Sequence, residues 1–245
     1  MEVLEYSLKY KVMSENSYNI TAIVTCAGSS QRMNGINKQF AKVGGVPVIV
    51  RSVMAFQKNE NINSVVISAK PCDIPTVQNL VAEYNLSKVT DIVEGGATRA
   101  ESVKNAFSVL CDNIDYVLIH DGARPLVSQT VINQVIEQLP KHKAVACSVP
   151  VKDTIKQVGT DGKTEKNVDR EKLAAMQTPQ GFSYELYKTA LERITDFSLF
   201  TDDCSVVENS GTRVFLVSGD YKNIKITTKE DLITANALAE ENIDD

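Results

Sequence analysis

Short side chains followed by positive charge mark the first stretch of this chain that can do chemistry. In Cys26-Ala-Gly-Ser-Ser-Gln-Arg-Met33, followed by Lys38, backbone N–H groups can approach an anion closely, and Arg32 and Lys38 can reach over it. The same residues also make an ordinary Gly/Ser turn with a surface arginine. A second stretch, Glu94-Gly-Gly-Ala-Thr-Arg-Ala-Glu-Ser102, leads a double glycine into a helix start, where free N–H groups and the dipole favour an anion or a nucleobase edge. It reads equally as a tight turn, with Arg99 in a surface ion pair of little energetic weight.

The third stretch is His120-Asp-Gly-Ala-Arg-Pro125. A carboxylate beside a glycine and an arginine suits a magnesium ion that also holds phosphate oxygens, and Asp121 is the ligand expected. Asp121 also suits a turn cap or a pair with Arg124. His120 reads as a packed, hydrogen-bonded residue rather than a base. In the fourth stretch, Gly219 to Thr228, alternation along an extended run places Asn223 and Lys225 on one face. A lone lysine in such a run ordinarily faces solvent.

Loops of this kind matter when strands present them together, because open α/β sheets bind ligands beyond the carboxyl ends of their strands. Candidate strands are Ile20 to Thr25, Ser64 to Ala69, Val89 to Val93, Tyr116 to His120, Ala144 to Val149, Arg213 to Val217 and Ile224 to Thr227. They alternate with longer amphipathic runs, the pattern of β-α-β units around a largely parallel sheet. Val103, Ala106, Phe107 and Leu110 recur at helical spacing behind a Thr98/Glu101 capping box. Val131, Ile132, Val135, Ile136 and Leu139 form a second stripe. Leu232, Ala235 and Leu238 form a third, with Thr228 and Asp231 placed to cap it. Val151 to Met176 breaks the rhythm: two short alternating stretches flank the turn signal Gly159-Thr-Asp-Gly162, which reads as a projecting β-arm. One domain with an arm is the economical organisation.

The bulk numbers bound the function. A chain of 245 residues with 43% hydrophobic content can bury a sizeable core, and a net charge of -5 offers no global field for nucleic acid. Any anion site must therefore be local. The five cysteines are far apart, without C-x-x-C or zinc-ligand spacing, and read as reduced, mostly buried thiols of a cytoplasmic protein. Residues 1–18 have neither a long apolar region nor a small-residue cleavage site; they read as an N-terminal extension, either a tail or a short amphipathic helix. No stretch approaches the roughly 18 to 20 apolar residues that a membrane span needs.

Taken in order, these stretches resemble the 2-C-methyl-D-erythritol 4-phosphate cytidylyltransferases of the non-mevalonate isoprenoid pathway. The resemblance runs from Ile20 to the last helix. It rests on A-G-x-x-x-R-M with Lys38, G-G-x-x-R-x-x-S-V at Gly95, H-D-G-A-R-P at His120, V-K-D-T at Val151, V-D-R at Val168, Q-T-P-Q at Gln177 and N-I-K at Asn223. Here Thr25-Cys26 replaces the family's usual small or proline pair, Ser30 stands where a second glycine is frequent, and Ala97 stands where a polar residue is frequent.

What the resemblance implies is an α/β, Rossmann-like nucleotidyltransferase (nucleotide-diphospho-sugar transferase) fold: a predominantly parallel mixed sheet flanked by helices. The cytidylyltransferase domain would span 19–245, with 151–176 as a β-arm that joins a homodimer. It implies CTP and a small sugar-alcohol phosphate as substrates and Mg2+ as cofactor. Arg32, Lys38, Arg170 and Lys225 would be catalytic; Ala27, Gly28, Gly96, Ser102 and Gly122 would hold the nucleotide; Asp121 would hold the metal. Arg124, Thr154 and Thr178 would bind the acceptor, Arg170 and Thr178 reaching across the dimer.

The acceptor phosphate, with a second pKa near 6, is largely dianionic at neutral pH and needs no general base. The sequence agrees, showing no nucleophile elbow and no Ser-His-Asp arrangement. Ribitol 5-phosphate is the alternative acceptor; Val168-Asp-Arg170 and the Asp-Gly-Ala-Arg form of the third stretch favour methylerythritol phosphate. A nucleotide sensor without catalysis is a reading from another class. A dinucleotide-dependent oxidoreductase is disfavoured because no G-x-G-x-x-G follows the first strand.

Overall fold

Side chains of the central strand alternate between two apolar clusters, one on each face of the sheet. The computed structural model describes residues 18–28 and 37–240. Along the first strand, β1 (Ile20–Thr25), Ile20, Ala22 and Val24 pack into one apolar cluster while Ile23 packs into another on the opposite face. All six of its residues are buried, as expected of a strand covered on both sides.

The chain continues through the small hairpin β2 (Lys42–Val43) and β3 (Val46–Pro47), α1 (Val48–Gln57), β4 (Ser64–Ala69), α2 (Ile74–Glu83), β5 (Val89–Glu94), α3 (Arg99–Phe107), β6 (Tyr116–Asp121), α4 (Gln129–His142) and β7 (Ala144–Pro150). A second hairpin, β8 (Ile155–Val158) and β9 (Thr164–Val168), precedes β10 (Ala174–Ser183), α5 (Tyr184–Glu192), α6 (Asp203–Glu208), β11 (Phe215–Ser218) and α7 (Lys229–Glu240). The main sheet has seven strands in the order β11-β7-β10-β6-β1-β4-β5. Pairings β1 with β4, β1 with β6, β4 with β5 and β11 with β7 are parallel, while β10 is antiparallel to both neighbours. The result is a mixed, mostly parallel sheet.

Helices cover it on both faces because their apolar stripes match the two sets of strand residues. Val50 and Val53 of α1, Val77 of α2 and the Val131, Ile132, Val135, Ile136 and Leu139 stripe of α4 pack on one side. Val103 and Phe107 of α3, Tyr187 of α5 and Val206 of α6 pack on the other. The expected caps are present. Thr98 accepts the Glu101 N–H at 3.1 Å while Glu101 accepts the Thr98 N–H at 3.1 Å. Asp231 and Thr228 are reciprocally bonded at the start of α7. Cys26, Cys147 and Cys204 are buried, Cys72 and Cys111 exposed, and none of the five is bridged.

One expectation is corrected and one strand is added. Ile224 to Thr227 is not a strand; it crosses the carboxyl end of β6 as irregular chain, with Ile226 donating to the Ala123 carbonyl at 2.8 Å. Ala174 to Ser183, absent from the candidate strands, is a strand although it carries Gln177-Thr-Pro-Gln180, and proline cannot donate to a ladder. Its register against β7 shifts between Met176 and Gln180, which accommodates Pro179. The Gly159 to Gly162 turn closes the β8–β9 hairpin, which forms a sheet separate from the main one, with residues that are half-buried or exposed.

The strand ends are tied directly to one another. Cys26 donates to the Ser68 carbonyl, Gly95 to the Ala69 carbonyl and Gly122 to the Thr25 carbonyl, each at 2.8 Å. Gly122 sits so tightly that an added Cβ would lie 2.9 Å from both the Thr25 carbonyl oxygen and Ile49 Cδ1. Because that carbonyl is main chain and cannot yield, Gly122→Ala should destabilise the fold by about 1–3 kcal/mol. The measurement is urea unfolding, with a lower midpoint and an unchanged slope expected.

Candidate active site

The loops beyond β1, β4, β5 and β6 enclose a cavity of about 290 Å³. Ala27 and Gly28 come from the first loop, Lys70 from the second, Gly96, Ala97, Thr98, Arg99 and Ser102 from the third, Asp121 and Ala123 from the fourth. Lys38, Gln39 and Lys225 complete the wall. The double glycine makes the closure possible. A Cβ on Gly95 would lie 2.2 Å from the Ala27 side chain, and one on Gly96 would lie 2.3 Å from that of Glu101.

Charge is the cavity's second property. Lys38, Lys70, Arg99 and Lys225 line it, against Asp121 as the one acidic residue among its described lining residues. Asp121 is buried, with Oδ1 at 2.8 Å from Arg99 Nε and Oδ2 at 2.6 Å from Lys225 Nζ. Arg124 Nε lies 3.8 Å from the same Oδ2. Burial alone would raise the Asp121 carboxyl, but Arg99 and Lys225 overcome it and hold the group far below the usual carboxylate range. On its other side, Arg99 Nη1 lies 2.7 Å from Oδ2 of Asp203, which is fully buried and whose Oδ1 accepts the Tyr187 hydroxyl at 2.7 Å. Burial pushes the Asp203 carboxyl up despite this pairing. Arg99, Arg124 and Lys225 against Asp121 and Asp203 leave one positive charge in excess.

His120 is part of the scaffold under this cluster. The Arg124 carbonyl can only accept, so His120 Nε2 carries a proton and donates to it at 3.1 Å. Burial lowers the His120 pKa to about 4, which keeps the ring neutral and leaves Nδ1 an acceptor. The Thr178 hydroxyl, 3.0 Å from Nδ1, then donates to it while accepting the Asp121 N–H at 3.0 Å.

The remaining expectations divide. Ala27, Gly28, Lys38, Gly96, Ser102, Asp121 and Lys225 come together around the cavity. Arg32 lies outside the described residues. Gly122 does not line the cavity: its N–H goes to Thr25, its carbonyl accepts the Ser52 hydroxyl at 2.9 Å, and its missing side chain makes room for packing. Gly96 lines the cavity but gives its N–H to Ser102 Oγ at 3.0 Å, so it supplies space rather than a donor. Thr178 does not reach outward; it is buried, with its hydroxyl engaged on both sides within its own chain. Arg124 does not line the cavity, and braces the Asn223 carbonyl at 2.7 Å and the Met176 carbonyl at 3.4 Å. Thr154 and Arg170 are exposed and do not line it either. Arg170 donates to the Lys152 carbonyl at 2.6 Å and lines a separate groove with Ser148, Pro150 and Leu216.

Several residues were not legible beforehand. Arg99 read as a surface cation, because its two carboxylate partners lie 22 and 104 positions away. Asp203 and Tyr187 carried no motif. Lys70 had a signal that could have found it, since it directly follows the carboxyl end of β4. Asn223 is not a cavity residue: it is fully buried and donates to the Thr178 carbonyl at 2.9 Å, which fixes the segment carrying Lys225.

A cationic cavity at the carboxyl ends of parallel strands, with a single carboxylate among its described lining residues, suits a phosphate-bearing substrate, and the relatives that the chain resembles place it among the nucleotidyltransferases. The comparisons give the family. The model of the 2-C-methyl-D-erythritol 4-phosphate cytidylyltransferase family matches residues 20–241, and this chain belongs to that family. The enzyme of this name from Clostridium novyi is 44% identical over 225 residues, covering 89% of this chain and 96% of its own. That from Bacillus cereus is 41% identical over 221 residues, with 89% and 96% covered. Among solved structures, a 4-diphosphocytidyl-2C-methyl-D-erythritol synthase from Anaerococcus prevotii superposes with a TM-score of 0.79 at 29% identity, covering 91% of this chain and 97% of its own. The Thermus thermophilus cytidylyltransferase gives a TM-score of 0.73 at 28% identity, with 91% and 99% covered.

The neutral histidine has a pH signature. An unfolded chain protonates His120 near its ordinary 6.5, whereas the folded chain resists until about 4. The unfolded state therefore binds more protons between these values, and stability falls as pH drops through that window. The effect is on the order of 3 kcal/mol at its limit. His120→Gln should remove this component, so urea midpoints of variant and wild type should converge between pH 6.5 and 4.

Proposed function

We propose that this chain transfers CMP from CTP to 2-C-methyl-D-erythritol 4-phosphate, giving 4-diphosphocytidyl-2-C-methyl-D-erythritol and pyrophosphate. The observation that carries the reading is the four-cation, one-carboxylate lining of the cavity in a protein of net charge -5. Two polyanions must meet for this reaction, and their repulsion is the obstacle. Local positive charge in a partly desolvated cleft lowers it, and fixed groups do so without reorganising during the step.

The roles follow from position. Ala27, Gly28, Gly96 and Ser102 shape the wall against which the nucleotide would lie, and Lys38 would meet its phosphates; Arg32 is given the same task on the sequence resemblance alone. Lys225 rests on Asp121 with its side chain 39% exposed. It can be handed to the incoming acceptor phosphate, whose dianion attacks the α-phosphorus in line with departing pyrophosphate. No proton need be removed from that nucleophile.

Asp121 fits a magnesium ion held mainly by substrate phosphates, because such ions take one or two carboxylates rather than a full protein cage. Among the described residues no cluster of three or more His, Cys, Asp or Glu could hold a metal alone, which suits the same mode. Asp121 Oδ2 would exchange Lys225 for the ion. When bound, the ion would draw negative charge from the leaving pyrophosphate.

Arg170 and Thr154 do not line their own chain's cavity, and they lie at the base of the exposed β8–β9 hairpin. The reading gives them to the acceptor phosphate of a second protomer, with residues 151–176 joining the homodimer. Among the described residues no helix is long and apolar enough to cross a membrane. A cytoplasmic enzyme acting on two water-soluble phosphates accords with this.

Pyrophosphate release, assayed with CTP and each acceptor in turn, tests the reading. Methylerythritol phosphate should turn over faster; faster turnover with ribitol 5-phosphate would reassign the acceptor. Lys225→Ala and Lys38→Ala should each lower kcat by about 10² to 10³, comparable to losing an oxyanion donor, while CTP binding falls less. Unchanged turnover in both would strip these two cations of their roles in the transfer, whereas no pyrophosphate release by the wild type with either acceptor would leave a nucleotide-binding protein without catalysis.

A further inference from the structure

Asp203 is fully buried and charged, yet its own helix does not need its side chain. Asp202 caps α6, with Oδ1 accepting the Ser205 N–H at 3.0 Å. The first turn of that helix is fixed independently by Gln180, whose Oε1 accepts the N–H groups of Asp203 at 2.9 Å and Cys204 at 3.0 Å. What the Asp203 carboxylate touches is Arg99 on one oxygen and the Tyr187 hydroxyl on the other. A buried carboxylate with no local structural task is costly to keep, so its use lies with the group it faces.

That group is a planar guanidinium held at two different nitrogens. Nη1 faces Asp203 at 2.7 Å and Nε faces Asp121 at 2.8 Å. Nε is held by a directed hydrogen bond and Nη1 by an ion pair, and contacts at two nitrogens of a rigid fork restrict its plane more than a single contact would. The consequence reaches the cavity: Asp121 Oδ1 is committed to a stationary cation, and Oδ2, now on Lys225, is the oxygen left to change partners.

We propose that Asp203 is a positioning residue for the transfer reaction, acting through Arg99 to orient the Asp121 carboxylate, with Tyr187 holding Asp203 in place. The inference rests on the cytidylyl-transfer reading above. Asp203 does not line the cavity, so its effect belongs to the chemical step rather than to nucleotide capture. Truncating it leaves the Arg99 charge to Asp121 alone and frees the guanidinium to rotate.

The test compares wild type with Asp203→Asn, an isosteric change that removes the charge and turns one of the two acceptor oxygens into an NH2 donor. The measurements are steady-state CMP transfer to methylerythritol phosphate and CTP-induced thermal stabilisation. A kcat lowered by about 10- to 100-fold is expected, as for other residues that orient a functional carboxylate from behind, with the CTP shift retained. Adding Asp203→Asn to Asp121→Asn should cost little more than Asp121→Asn alone, because the two act through one path. Wild-type kcat in Asp203→Asn, or losses that multiply in the double variant, would overturn the proposal. Should Asp203→Asn not fold, Tyr187→Phe removes a single hydroxyl and should lower kcat in the same direction but less, with CTP stabilisation intact; an unchanged kcat there overturns it too. A wild type that transfers no CMP to methylerythritol phosphate removes the reaction and this inference with it. A wild type that turns over beside an equally active Asp203→Asn removes the inference alone.

Discussion

A carboxylate buried between three cations is the constraint around which the site is built. Removing Asp121 from water costs several kcal/mol, and the cost is met only if its partners are placed accurately and are themselves satisfied. Arg99 comes from α3, Arg124 and Asp121 from the end of β6, and Lys225 from the segment before α7. These are distant in sequence, so the network forms only once the sheet order and both helix layers are in place. The main-chain bonds between Cys26 and Ser68, Gly95 and Ala69, and Gly122 and Thr25 provide that accuracy by locking the strand ends together.

One polar strand supplies most of the remaining order. In β10, Gln177 donates to the Asp220 carbonyl at 2.8 Å and accepts the Asp220 N–H at 3.2 Å, which fixes the loop leading to Lys225. Thr178 fixes the main chain of Asp121 through its hydroxyl, and Gln180 fixes the start of α6, where Asp203 lies. Three side chains of one short motif thus each hold a different wall of the site. Polar residues in a central strand are expensive unless bonded, and these three are bonded. The price of the arrangement shows within the network itself, where Arg99 Nη2, Arg124 Nε, Asp203 Oδ2 and Asn223 Oδ1 are buried without a hydrogen-bond partner.

This division explains what could be read from the chain and what could not. Continuous or alternating apolar runs made β1 and β4 legible to the residue, and the capping boxes at Thr98 and Thr228 fixed two helix starts. Those signals are local. β10 was hidden because the residues that make it useful, Gln177, Thr178, Pro179 and Gln180, are the ones that argue against a buried strand. Ile224 to Thr227 misled in the opposite sense: its β-branched residues suit a strand, but Ile226 is drawn instead into a small cluster with Val43, Val48 and Ala235. Cavity residues that follow strand ends, such as Gly96 and Asp121, were legible, whereas Arg99 and Asp203 take their meaning from partners that only the fold brings near.

The same network explains how an acidic protein can host a polyanion. Its surface field is negative, so attraction must come from charges that are close, oriented and shielded from screening. His120 bears on this directly, because a protonated imidazole behind Asp121 would add a further positive charge and compete with Arg99 and Lys225 for the carboxylate. Burial prevents that, with the Arg124 and Arg99 charges acting in the same direction, and the neutral ring keeps its Nε2 proton on the Arg124 carbonyl while Nδ1 accepts from Thr178. A silent ring between charged neighbours keeps the excess of the cluster at one, with Lys38 and Lys70 across the cavity providing the rest. Positive charge is thereby concentrated in the lining of one cavity, and the buried carboxylates Asp121 and Asp203 hold Arg99 and Lys225 in place there.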